Sequence, residues 1–223
     1  IGGGNAAAVA MLKNSKRPFI ILGGGALSAG QAALKIAEAT GAPILTTTAG
    51  KGAVSADHKN VWGYKLGYPE TQNALQGSDC ILAVGTELSE TDFWAGRFRL
   101  TSPMIRIDID PEVLAKPHRA TLPILADATS TLDMIAKHMD GSTICHATAP
   151  ATVDDPLRKV LGKVLTVIRD SLPAETVIAS DMTQIAYAAN EVFPVSHPRT
   201  WLHPVGFGTL GFALPAAIGA KFG

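Results

Sequence analysis

Five short runs in the first 140 residues read as largely apolar strands, RPFIIL, APILTTT, DCILAVG, PMIRIDID and ATLPILAD, with DCILAVG apolar on both faces. Segments of helical spacing lie between or after them, such as AGQAALKIAEAT, with Ala33, Ile36 and Ala37 on one face, ETQNALQGS, PEVLAK and ATSTLDMIAKHM. A strand that is apolar throughout must be covered on both sides, and the intervening helices supply that cover. The pattern predicts a doubly wound parallel α/β sheet, Rossmann-like, over residues 1–140. In PEVLAK, Pro111 stands at the favoured first position of the helix it is expected to open.

From 141 to 154 the text turns small, polar and proline-rich, which reads as a linker. Residues 155–223 then read as the front of a second α/β domain. DPLRKVLGKVLTVIRDSL places Leu157, Val160, Leu161, Val164 and Ile168 on one helical face. TVIAS and RTWLH read as strands with the helix MTQIAYAANEV between them. Last comes GFGTLG, a glycine-rich loop, opening an Ala-rich segment from Phe212 to Phe222 expected as a buried helix. A glycine loop at a helix start allows a ligand to approach the backbone closely.

Composition removes several function classes. Lys and Arg number 19, Asp and Glu 19, and the cations are scattered, so neither nucleic acid nor an anionic membrane surface is an expected partner. Charged residues are only 17% of the chain, against roughly 25% in an average domain, so extensive burial is expected. Cys80 and Cys145 are too few for a disulfide framework or a metal site, and Cys80 inside DCILAV reads as a buried hydrophobe. Nothing resembles a signal peptide or a membrane span, so a soluble, cytoplasmic protein is expected.

The segment GFGTLGFALPAAIGAK, together with GGG, GKGAVSADH, DCILAVGTEL and IRIDIDPEVLAK upstream, resembles the thiamine-diphosphate enzymes of the acetolactate synthase and 2-oxo-acid decarboxylase group. The resemblance covers nearly the whole chain. It implies a deacetylase-like central domain followed by the start of the diphosphate-binding domain, as in a fragment of a three-domain enzyme. It also implies thiamine diphosphate with Mg2+, whose ligands would lie outside these residues, and a 2-oxo-acid substrate. The pyrimidine-binding domain would come from the same or a partner subunit, in a homodimer or homotetramer.

Residue by residue, the resemblance implies that Gly208 offers its carbonyl to the aminopyrimidine. Thr209 is carried over with it, and Leu210 wedges the bent cofactor. It places Asp181 and Gln184 in the loop at the diphosphate. Ile185 stands where acetolactate synthases usually carry His, which tilts the reading toward a decarboxylase. Leu210 as a plain core leucine and Gln184 as a solvated helix residue remain open readings. His203, close to the loop, reads as a structural histidine that could also reach substrate.

Gly23–Gly25 after the first strand is a weak dinucleotide signal, with Gly24 as its candidate contact, because no acidic residue follows at the expected spacing. Relatives sometimes bind FAD or ADP in this domain, and Asp108 and Asp110 match positions facing an adenosine ribose. Thr86–Glu87 occupies the place where flavin-binding synthases carry an arginine, so FAD or ADP is doubtful. Two other classes remain: a stand-alone nucleotide-binding or interaction module, and an NAD-dependent oxidoreductase. The terminal glycine loop argues against the first and the poor glycine fingerprint against the second.

Overall fold

The computed structural model describes residues 2–94, 98–141, 143, 148–151 and 155–223. The first part runs α1 (Gly3–Asn14), β1 (Pro18–Leu22), α2 (Gly30–Thr40), β2 (Ile44–Thr46), β3 (Val61–Gly63), α3 (Pro69–Gln76) and β4 (Cys80–Val84). It continues with α4 (Glu90–Phe93), β5 (Met104–Asp108), β6 (Leu122–Leu125) and α5 (Ala128–Ala136). Its six strands are all parallel, in the order β3-β2-β1-β4-β5-β6, a doubly wound sheet.

Strand periodicity sorts the core into two layers. Ile20, Leu22, Leu82 and Ile105 face one side, with Leu12, Ile36 and Leu132 from the helices. Phe19, Ile21, Ile81 and Met104 face the other, with Trp62, Leu75 and Phe93. Ile20 is paired with both Ile44 and Leu82 and is fully buried. Burying each such aliphatic side chain contributes about 1.5–3 kcal/mol. Cys80 is buried as expected, and burial, with Asp79 beside it, pushes its thiol up to about 12.

The second part holds α6 (Pro156–Asp170), β7 (Ile178–Ala179), α7 (Gln184–Val192), β8 (Trp201–Leu202) and α8 (Ala213–Phe222). β7 and β8 pair in parallel. Leu165, Ala188, Ala189, Phe193 and Trp201 form its small core. It docks on the first part through side chains. Lys51 Nζ donates to the carbonyl of Asn190 at 2.8 Å, and Tyr68 Oη donates to Glu191 Oε2 at 2.8 Å. Glu191 also pairs with Arg158. A cavity of about 180 Å³ remains at this junction, lined by Thr46, Lys51, Trp62, Tyr64, Glu191 and Val195 among others.

Several expectations need correction. β3 and α1 were not legible: VWG is half-exposed at the sheet edge, and the Gly-Ala start of α1 shows little periodicity. PEVLAK forms turns, not a helix. Pro117 cannot extend the helical hydrogen bonds, and the Arg106 guanidinium takes the carbonyls of Lys116 and His118. On α6 the face toward the core carries Leu161 and Leu165, while Leu157, Val160 and Val164 are exposed. None of α8 is buried, because a two-stranded sheet offers too little surface to cover it. Of the expected linker, 142, 144–147 (with Cys145) and 152–154 lie outside the described residues.

Candidate cofactor-binding site

The C-terminal edge of β7 and β8 carries the segments 180–183 and 203–211, and such an edge is the usual ligand crevice of a parallel sheet. Ser180 Oγ and His203 Nδ1 are 2.8 Å apart. The His203 ring stacks on Trp201 (6.2 Å, 12°) and meets Tyr187 edge-on (6.3 Å, 75°). Burial holds the His203 imidazole below its ordinary pKa, with Asp181 opposing. His203 is thus satisfied structurally while remaining part of the crevice wall.

Asp181 caps α8: Phe212 N donates to its Oδ1 at 3.1 Å and Ala213 N to its Oδ2 at 3.4 Å. A carboxylate at a helix N-terminus is favoured by the free amides and the dipole. Thr183 caps α7 in the same way, accepting from Ala186 N, so Gln184 becomes the exposed first residue of that helix. Ile185, the next residue, packs against the small core.

The glycine loop lies on the same side. Gly206, Gly208 and Gly211 have φ of +80°, +62° and +83°, values that L side chains rarely adopt. A Cβ on Gly208 would stand 3.0 Å from Met182 Cε, so the loop rests on the segment after β7. Thr209 is exposed, and Leu210 is 74% exposed. Leu210 is not a core leucine among these residues. The structure therefore brings Asp181, Gln184, Gly208, Thr209 and Leu210 to one strand edge.

Asp108, Asp110 and Gly24 belong to the other sheet. Asp108 Oδ1 accepts from Asp110 N at 3.1 Å, and Asp110 Oδ1 from Glu112 N at 2.8 Å, so both carboxylates stabilise their own turn. A Cβ on Gly24 would meet Ala49 Cβ at 3.2 Å. Gly23 and Gly25 pack directly on the β4 end: their Cβ atoms would lie 2.2 Å from Gly85 O and 2.9 Å from Gly85 Cα. The glycine run thus has a packing reason at the switch between β1 and β4. Glu87 beside it is exposed.

The sequence reading passed over three groups. Arg106, 1% exposed, donates to the carbonyls of Thr86 at 2.7 Å and His118 at 2.8 Å as well as that of Lys116. Lys51 sits at the C-terminal end of α7, where burial lowers its pKa to about 7. Trp94 is an exposed aromatic amid acids, which the text DFW could have flagged. Among the described residues, no group of three or more His, Cys, Asp or Glu is placed to hold a metal ion, and no helix is long and apolar enough to cross a membrane.

Comparison with known proteins agrees with this layout. Residues 5–135 match the thiamine pyrophosphate enzyme central domain, and residues 181–223 match the C-terminal TPP binding domain. A probable 2-ketoarginine decarboxylase of Pseudomonas aeruginosa is 38% identical, over 97% of this chain and 41% of that protein. A probable acetolactate synthase large subunit of Methanocaldococcus jannaschii is 33% identical, over 96% of this chain and 40% of that protein. The acetolactate synthase isozyme 3 large subunit of Escherichia coli is 27% identical, over 96% and 41%. The chain thus spans about two-fifths of the length of these relatives. With its first sheet and its glycine-loop edge each matched to one part of the same enzymes, the chain belongs to the thiamine pyrophosphate enzyme family.

Proposed function

We propose that these 223 residues supply the central domain, 1–140, and the start of the diphosphate-binding domain, 155–223, of a thiamine-diphosphate-dependent 2-oxo-acid decarboxylase. The observation that carries this reading is the glycine loop, with its three positive-φ glycines and exposed Leu210, resting against 181–184. Its donor chemistry fits the cofactor. The Gly208 carbonyl can accept from an amino group, and Leu210 offers an apolar edge to a bent molecule. Gln184 and the first amides of α7 can donate to phosphate oxygens. Asp181 is committed to α8 and serves by fixing that helix against the loop.

When bound, thiamine diphosphate supplies the carbon nucleophile and the electron sink that decarboxylation of a 2-oxo acid requires. The chain's own part is to bind, orient and hold the cofactor in shape. Mg2+, on this reading, takes its ligands from outside these residues, as does the aminopyrimidine its proton partner. The 223 residues alone are therefore expected to be inactive. The intact enzyme is read as a cytoplasmic homodimer or homotetramer.

Decarboxylation is favoured over carboligation by Ile185 and by the relative named 2-ketoarginine decarboxylase. The test replaces the matching residues of that Pseudomonas aeruginosa protein with this chain and measures CO2 release from 2-ketoarginine and pyruvate. Decarboxylation without acetolactate formation is expected, together with no turnover by the 223 residues alone. Acetolactate as the main product from pyruvate would overturn the decarboxylase reading.

A further inference from the structure

The cavity where the two parts meet is lined by both polar and apolar groups. Its volume is about 180 Å³, and cavities of about 150 Å³ admit benzene-sized molecules. Val54 and Trp62 from the first part, with Phe193 and Val195 from the second, are buried apolar walls. Lys51 and Tyr64 supply polar groups to the same space. Ala56 and Val192, also on the lining, are exposed, so a solute can enter.

Lys51 has donors to spare. Its ammonium carries three N–H groups, and among the described residues one acceptor meets them, the Asn190 carbonyl at 2.8 Å. A desolvated cation with unused donors favours an anionic acceptor beside it. Tyr64 adds a further donor. Its Oη accepts from Trp94 Nε1 at 3.0 Å, and burial raises its pKa, so the hydroxyl keeps its own proton.

Glu191, the carboxylate on the lining, is already committed. Its Oε1 pairs with Arg158, and its Oε2 accepts from Tyr68 Oη at 2.8 Å. Its charge also acts on Lys51 and on Lys65, whose Nζ donates to the Pro150 carbonyl. Three cations therefore share Glu191, with Asp155 a second acid 3.9 Å from Arg158. Asp92 acts on Tyr64 as well, while its Oδ2 is held by Ser89. The balance at Lys51 favours an anion; a cationic ligand would meet the ammonium.

We infer that this cavity binds a small carboxylate with a short apolar chain, its head on Lys51 and Tyr64 and its chain against Val54, Trp62, Phe193 and Val195. The ligand would touch both parts at once, so its binding stabilises their docking. The site is separate from the glycine-loop edge and does not depend on the cofactor reading above.

The test uses 3-methylbutanoate and its neutral isostere 3-methylbutanamide as probes of the 223-residue chain, at ionic strength matched with sodium chloride. Binding is read at pH 6 from the indole N–H resonance of Trp62, assigned with Trp62→Phe among the three Trp. The acid is expected to move that resonance saturably and to bind about fivefold or more tighter than the amide. It should also raise the thermal midpoint, which the amide should leave nearly in place. Lys51→Met should abolish the preference for the acid while the amide still binds. Equal binding of acid and amide by the parent chain, or no saturable shift with either, would overturn the inference. A preference for the acid that survives in Lys51→Met would overturn it too.

Discussion

Lys51 Nζ donates to the carbonyl of Asn190 at 2.8 Å, joining the loop after β2 to the last turn of α7. The ammonium also lies 6.0 Å from the centroid of the Trp201 ring. A cation at a helix C-terminus meets the negative end of the dipole, which favours it there. Burial works against the charge and dominates, bringing the pKa down from 10.5 to about 7, with Glu191 opposing.

That competition predicts a pH-dependent Lys51→Met effect. Between pH 7 and 10.5 the unfolded chain holds a proton that the folded chain has shed, so stability rises with pH across this window. At pH 6 the buried charge is fully present, and removing it should stabilise the fold by about 1 kcal/mol or more. At pH 10 the charge cost is largely gone, and the lost hydrogen bond should leave the variant about 1 kcal/mol less stable. Urea unfolding at the two pH values checks the change of sign.

Arg106 predicts a large loss. Its side chain satisfies three carbonyls in a buried position, so Arg106→Met leaves acceptors unpaired and should cost about 3 kcal/mol or more in urea unfolding. Lys in its place cannot reproduce the fork and should rescue little. His118, held at about 4 by burial and then by Arg106 and Arg99, should titrate higher in the variant, as NMR can follow. In the parent chain this lowered pKa means stability is lost as pH falls from about 6.5 toward 4.

Much of this was legible, and the failures share a cause. β1 and β4 announce themselves because both faces are apolar over five residues each, and β5 because Met104, Ile105 and Ile107 are buried beside them. β3 is a three-residue edge strand that needs apolar residues on one face only, so no run betrays it. α8 reads as buried because it is apolar all round, yet composition cannot say whether a surface is there to receive it. At the site, the glycine loop and the 181–184 segment were legible as motifs. Lys51 and Trp94 were not, because their meaning lies in partners more than ninety residues away, Asn190 and Tyr187.

The central sheet predicts no tight flavin binding, because Gly23 and Gly25 close on Gly85 and Glu87 stands at the same edge. Protein incubated with FAD and then freed of unbound ligand should keep no flavin absorbance. Gly85→Ala, at φ +56° and with its Cβ 2.6 Å from Gly25, should destabilise the fold strongly without changing that result.

Leu210 separates geometry from packing. At 74% exposure its truncation to Ala should change stability by less than about 0.5 kcal/mol, whereas a core leucine would cost about 2–5. In the chimera, Leu210→Ala should lower the single-turnover rate by up to about a hundredfold, while Met keeps most of it. An unchanged rate per folded molecule with a large fall in melting temperature would remove the wedge role.

The most direct measurement is amide chemical-shift mapping of the chain with thiamine diphosphate at millimolar concentration. The account predicts saturable shifts at 181–186 and 206–212, around the Asp181 cap and the glycine loop, with Gly23–Gly25 and Gly85 unmoved. Shifts confined to the β1–β4 switch, or no saturable shift at either edge, would contradict it.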